Sequence, residues 1–129
     1  MSGPVVFISH FGVKEGKLAD LRHLAAEVQR HLHDDKPRTV AYLMYLNDEG
    51  TEMTIVHTFP DADSMDLHFV GSDERSAAAF ELLEPRGWEI YGRPNDGALD
   101  TMRQAAESSG VSLILRPDLL DGFLRLRSI

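Results

Sequence analysis

The sequence predicts an α+β fold in the order β-α-β-β-α-β, with one more helix and one more strand after it. Three observations carry the prediction. One segment repeats apolar residues at helical spacing. Two β-rich runs are joined by hairpin-loop residues. Pro, Gly and Asp then punctuate the remaining runs where helices should start and stop. The chain has 129 residues, about one domain's worth, so 1–129 is expected to be a single domain with 95–129 as a C-terminal extension. A folded chain of this size buries roughly two-thirds of the surface it exposes when unfolded.

Residues 4–11, built on Val5-Val6-Phe7-Ile8, read as a strand that is apolar on both parities. Gly12 to Gly16 is a turn. Leu18, Leu21, Leu24, Ala25, Val28 and Leu32 then recur at intervals of three and four, with Asp20, Arg22, Glu27 and Arg30 on the other side. That pattern is an amphipathic helix over 15–33, stopped by Asp34-Asp35 and Pro37. Residues 39–46 and 52–59 are two strands of a hairpin closed by Asn47-Asp48-Glu49-Gly50. Asp61 or Asp63 caps a helix that starts near Ala62, breaks near Gly71 and resumes from about Asp73 to Leu83. Pro85 and Gly87 separate it from a fourth strand, Trp88 to Tyr91. To this point the order is that of a ferredoxin-like split βαβ fold. In the extension, Asn95 or Asp96 caps a helix carrying Leu99, Met102, Ala105 and Ala106, and Gly110 suits its C′ position. Val111 to Leu115 is a fifth strand, and residues 122–126 read as a last extended arm.

A ferredoxin-like sheet carries helices on one face only. Here the strands are apolar on both parities: Tyr42, Met44 and Leu46 against Ala41, Leu43 and Tyr45, and Val5, Phe7 and Phe11 against Val6 and Ile8. The helix-free face is therefore an apolar patch too large for a monomer to expose. Either a second copy covers it under two-fold symmetry, or the C-terminal residues fold over it.

Three stretches resemble a known family. They are the opening Phe7-Ile8-Ser9-His10-Phe11-Gly12-Val13-Lys14-Glu15-Gly16-Lys17-Leu18, the hairpin 42–59 with its two tyrosines and Asp48-Glu49-Gly50 loop, and Asp61-Ala62-Asp63-Ser64-Met65-Asp66-Leu67-His68. Over roughly residues 5–93 the chain resembles the dimeric α+β barrel superfamily, specifically the small antibiotic-biosynthesis-monooxygenase-like proteins. The resemblance implies two sheets pairing into a dimeric α+β barrel. It also implies a homodimer as the partner state, and a cofactor-independent monooxygenase-like activity on a small aromatic or quinol-type molecule. One departure matters. Many members carry Glu eleven residues before the helix histidine, where this chain has His57. A non-catalytic small-molecule-binding dimer is the alternative that this departure favours.

Composition narrows the function classes. Apolar residues make up 43% and charged residues 26%, the globular range. The chain has no cysteine, which excludes disulfides, thiolate metal sites and thiol catalysis. Acidic residues number 21 and basic ones 13, a net charge of −8, which argues against a nucleic-acid partner. No run approaches the ~18 apolar residues of a membrane span, and the first residues carry no basic leader pattern. No membrane partner and a cytoplasmic location are thus expected. The sequence has no dinucleotide, phosphate-binding or nucleophile-elbow loop and no His-Glu-x-x-His, so neither cofactor nor metal is expected. His31-x-His33-Asp34-Asp35 reads as a solvated helix end.

His57 and His68 are the candidate catalytic residues. One stands near the end of a strand, the other in the first turns of the helix that follows, and imidazole serves as base or acid near neutral pH. Either could instead satisfy a buried backbone carbonyl. Tyr42, Tyr45 and Trp88 are the candidate substrate-pocket residues for a small hydrophobic or aromatic ligand, with ordinary core packing as the other reading.

Overall fold

The computed structural model describes residues 3–126. Its elements follow the chain as β1 (Val5–Val13), α1 (Leu18–Asp35), β2 (Ala41–Leu46), β3 (Glu52–Phe59), α2 (Ala62–Phe69), α3 (Ser72–Phe80), β4 (Leu83–Tyr91), α4 (Asp96–Ser109) and β5 (Leu113–Arg116). The sheet runs β2-β3-β1-β4-β5. Its first four strands are antiparallel neighbours, the ferredoxin-like order, and β5 joins β4 in parallel. Among the described residues no helix is long and apolar enough to cross a membrane.

Local chemistry accounts for the boundaries. Asn47 closes the β2–β3 hairpin by accepting the backbone N–H of Thr51 (2.8 Å) and Glu52 (2.9 Å) on its side-chain oxygen. Asp61 caps α2, accepting from the Ser64 N–H at 2.9 Å. Gly110 ends α4 in the left-handed conformation, with its N–H on the carbonyls of Ala106 and Glu107.

Strand β4 begins at Leu83, five residues before the expected start at Trp88. Pro85 and Gly87 do not interrupt it, because a bulge absorbs them: His10 pairs with Gly87 while the next residue, Phe11, pairs with Pro85.

Register assigns every strand side chain to a face. Tyr42, His57, Phe7 and Ile90 form one row under the helices, and Leu43, Val56, Ile8, Glu89 and Ile114 form a row on the opposite face. The core lies between sheet and helices, with Val5, Phe59, Met65 and Ile90 fully buried. α4 contributes Ala98, Met102 and Ala106 to this same core. The extension thus widens the helical layer instead of folding over the helix-free face. Residues 127–129 of the extension lie outside the described residues.

Candidate active site

A cavity of about 290 Å³ lies inside a single subunit, between the sheet and helices α1, α3 and α4. Phe7, Phe11, Met44, Met53, Leu21 and Trp88 make most of its wall apolar. Leu24, Ala25 and Val28 of α1 are only half-buried because they line this space. Polar groups converge at one end: Tyr42, His57, His68 and Arg75.

His57 is placed by β3. It stands between Phe7 and Tyr42 in the register, stacks on the Phe7 ring at 4.7 Å and meets the Tyr42 ring edge-on at 5.1 Å. Its Nδ1 donates to the Phe7 carbonyl at 2.8 Å, so Nε2 is the nitrogen that keeps the lone pair. His68 is placed by α2. Ala62, Met65 and His68 are buried at intervals of three, which turns this stripe of the helix to the sheet. His68 Nδ1 lies 2.8 Å from the Thr39 hydroxyl, and its ring meets that of His57 edge-on at 5.2 Å.

Two cations grip the C-terminal end of α2. Arg75 Nη2 donates to the His68 carbonyl at 2.6 Å, and Lys36 Nζ to the carbonyls of Leu67 (2.9 Å) and Val70 (3.0 Å). That end carries the negative pole of the helix, so both are well placed. Arg75 also lines the cavity.

The electrostatics follow from burial. Burial pushes the His57 imidazole down to about 4, against the pull of the Phe7 carbonyl, and Arg75 lowers it further. Burial first, then His57, Arg75 and Lys36, hold His68 far below the ordinary imidazole range. Burial pushes the Tyr42 hydroxyl up to about 12, opposed by Arg75. At neutral pH both imidazoles are therefore uncharged and the phenol un-ionised beside the Arg75 guanidinium, and the Asp73 carboxyl of α3 also lines the cavity.

The neutral imidazoles have a measurable consequence. The unfolded chain binds protons on these histidines near pH 6.5, whereas folded His57 resists protonation until about 4. The unfolded state then holds more protons across that window, so stability falls as pH drops through it and levels off below. His57 alone should cost about 2 kcal/mol of stability between pH 7.5 and 5, and His68 acts in the same direction. Urea unfolding at the two pH values checks this; an unchanged midpoint would contradict the burial of neutral histidines.

The structure brings four of the five candidate residues to one cavity: His57, His68, Tyr42 and Trp88. Tyr45 is not among them. Opposite Thr54 in the register, it lies on the helix-free face and is 57% exposed, because side chains alternate along β2 and Tyr42 takes the inner face. Arg75 and Thr39 were not singled out from the sequence. Both reach the histidines across breaks in the chain, and only the helix break at Gly71 hinted that α3 folds back on α2. His31 and His33 pair with Asp35 and Asp34 at the exposed end of α1. Among the described residues no group of three or more His, Asp or Glu is placed to hold a metal ion.

No protein-family model matches the chain, and no curated protein does. Solved structures do. MupZ from Pseudomonas fluorescens superposes with a TM-score of 0.71 at 20% identity, covering 95% of each chain. SnoaB, a cofactor-independent oxygenase from Streptomyces nogalater, gives 0.61 at 15% identity, over 73% of this chain and 96% of its own. A provisionally named antibiotic biosynthesis monooxygenase from Caulobacter crescentus gives 0.63 at 13% identity, over 73% of this chain and 92% of its own. The fold is thus the one these three structures share. The overlap with MupZ is long enough to take in part of the region after β4.

Proposed function

We propose that the chain is a cofactor-independent monooxygenase-like enzyme for a small aromatic or quinol-type molecule. One observation carries this reading. A neutral imidazole, His57, has its tautomer fixed by a backbone carbonyl and sits in an apolar cavity beside a guanidinium. Such a site can take a proton from a phenol or an activated C–H and hold the anion that remains. His57 Nε2 is the base. Arg75 and the Tyr42 hydroxyl hold the substrate oxyanion, and that anion supplies the counter-charge that lets the imidazolium persist. The SnoaB activity and the shared fold support the reading by analogy.

For an anthrone-type substrate the balance is simple. His57 removes a proton from the CH₂ carbon, and the carbanion gives its electrons to O₂, forming a C–O bond. The peroxide takes the proton back. Loss of the second C–H proton then breaks the O–O bond. The carbon leaves as C=O and the other oxygen atom as water. Oxygen is reduced, the carbon is oxidised, and no electron comes from elsewhere. Apolar walls keep the carbanion from being reprotonated by solvent.

An oxygen electrode tests this with a hydroxylated anthrone and protein treated with a chelator. One O₂ should be consumed per ketone formed, above the spontaneous rate. Binding of the anthrone with no added oxygen uptake would reduce the protein to a binder of such molecules.

A further inference from the structure

Away from the histidine end, the sheet floor of the cavity is apolar except at Ser9. Val5, Phe7, Ser9 and Phe11 alternate as inward residues of β1, the central strand, and Ser9 is 3% exposed among them. The register sets it between Ile55 of β3 and Trp88 of β4. An apolar side chain would suit this position, because a buried hydroxyl without a partner is unfavourable. Among the described residues, neither the Ser9 hydroxyl nor the Trp88 indole N–H makes a hydrogen bond, yet every side-chain nitrogen or oxygen sealed from solvent has a partner. Both groups are therefore open to a water-sized space, and the space that the two buried residues line together is the cavity.

These two groups stand apart from the proposed base. Phe7 pairs with His57, and Ser9 lies two residues further along β1 on the same face. Strand geometry then sets the Ser9 Cα about 8 Å from that of His57. A single polar atom cannot serve both places, but a flat fused-ring molecule lying on the floor can reach from one to the other.

We infer that the Ser9 hydroxyl and the Trp88 indole N–H form a second polar subsite, which donates hydrogen bonds to an oxygen on the far ring of the substrate. This rests on the cavity being the substrate site, and it narrows the substrate class to fused-ring phenols that carry a second oxygen. The indole can only donate and the hydroxyl can donate or accept, so the pair suits a carbonyl or phenolic oxygen. Selectivity follows from the apolar surroundings. A ligand without that oxygen leaves the subsite unpaired, and a buried site built to hydrogen-bond discriminates against such an analogue.

Fluorescence titration of the full chain with 2-naphthol and 2,6-dihydroxynaphthalene tests this without any turnover. The two ligands share one ring system and differ by a hydroxyl at the opposite end. The wild type should bind the diol about tenfold more tightly, the effect of one or two net hydrogen bonds. Ser9→Ala should bring the two affinities to within about twofold, and Trp88→Phe, which keeps a ring, should lose part of the preference. Ser9→Ala should also unfold at no lower a temperature than wild type, since the hydroxyl it removes has no partner in the free protein. A Tm lower by about 4 °C or more would mean that the hydroxyl is already bonded within the subunit, and would overturn the inference. Equal binding of both ligands by the wild type, or a preference kept in Ser9→Ala, would overturn it too while leaving the cavity an aromatic site. Binding of neither ligand at about 1 mM would overturn the cavity as the substrate site, and the subsite with it.

Discussion

His57→Asn lowers the turnover of a hydroxylated anthrone by about 10²–10⁴-fold, the range that a positioned general base contributes, while the protein stays folded. The choice of asparagine follows from the geometry. His57 Nδ1 donates to the Phe7 carbonyl at 2.8 Å, and the asparagine amide can keep that donor. The strand then retains its buried hydrogen bond, and an orphaned carbonyl costing about 1–3 kcal/mol is avoided. What disappears is Nε2, the nitrogen with the lone pair. His68→Asn removes a ring that touches Tyr42, His57 and Phe59, so it should also lower binding. The measurement is kcat and KM for both variants, with thermal unfolding alongside. A His57→Asn protein of wild-type kcat would show that the base lies elsewhere.

Phe59→Ala destabilises the protein by about 3–5 kcal/mol, the usual cost of emptying a buried phenylalanine site. Phe59 is 0% exposed and sits at the end of β3 against Val5. Its ring lies edge-on to His68 at 5.2 Å and stacks near His57 at 6.3 Å. Removing it takes support from both histidines at once, so activity should fall further than stability alone explains. A chain of this length should lose about 10 °C or more in Tm. Phe59→Leu, which conserves most of the volume, should lose far less. A Tm for Phe59→Ala within about 2 °C of wild type, well under 1 kcal/mol on the same scale, would contradict the packing described here.

Much of the fold is legible in the sequence because local chemistry decides it. β3 spans Glu52–Phe59 and α2 starts at Ala62, both as the hairpin loop and the Asp61 cap predict. α1 runs over Leu18–Asp35 against the expected 15–33, since charged residues at either end say little about where the last turn frays. The early start of β4 was hidden because a proline and a glycine ordinarily end a strand, and a bulge that reconciles them depends on the β1 partner.

The candidate site divides in the same way. The alternation of β3 sets His57 beside Phe59, and the eleven-residue spacing to His68 carries a strand, a turn and two helical turns. Tyr42 and Tyr45 could not be told apart from sequence, because both parities of β2 are apolar. Only the register that sets Tyr42 opposite His57 assigns Tyr45 to the outer face. Arg75 lies within a small-residue helix and acquires its role from the α2 carbonyls it meets, a contact no local pattern announces.

The most direct measurement is the absorbance of a hydroxylated anthrone bound to the protein under nitrogen. With oxygen excluded, only the proton-transfer step can occur. The wild-type protein should shift the bound molecule to its anion spectrum at neutral pH, and His57→Asn should bind it with the neutral spectrum. A neutral spectrum in the wild type, or an anion spectrum unchanged in His57→Asn, would contradict base catalysis by His57.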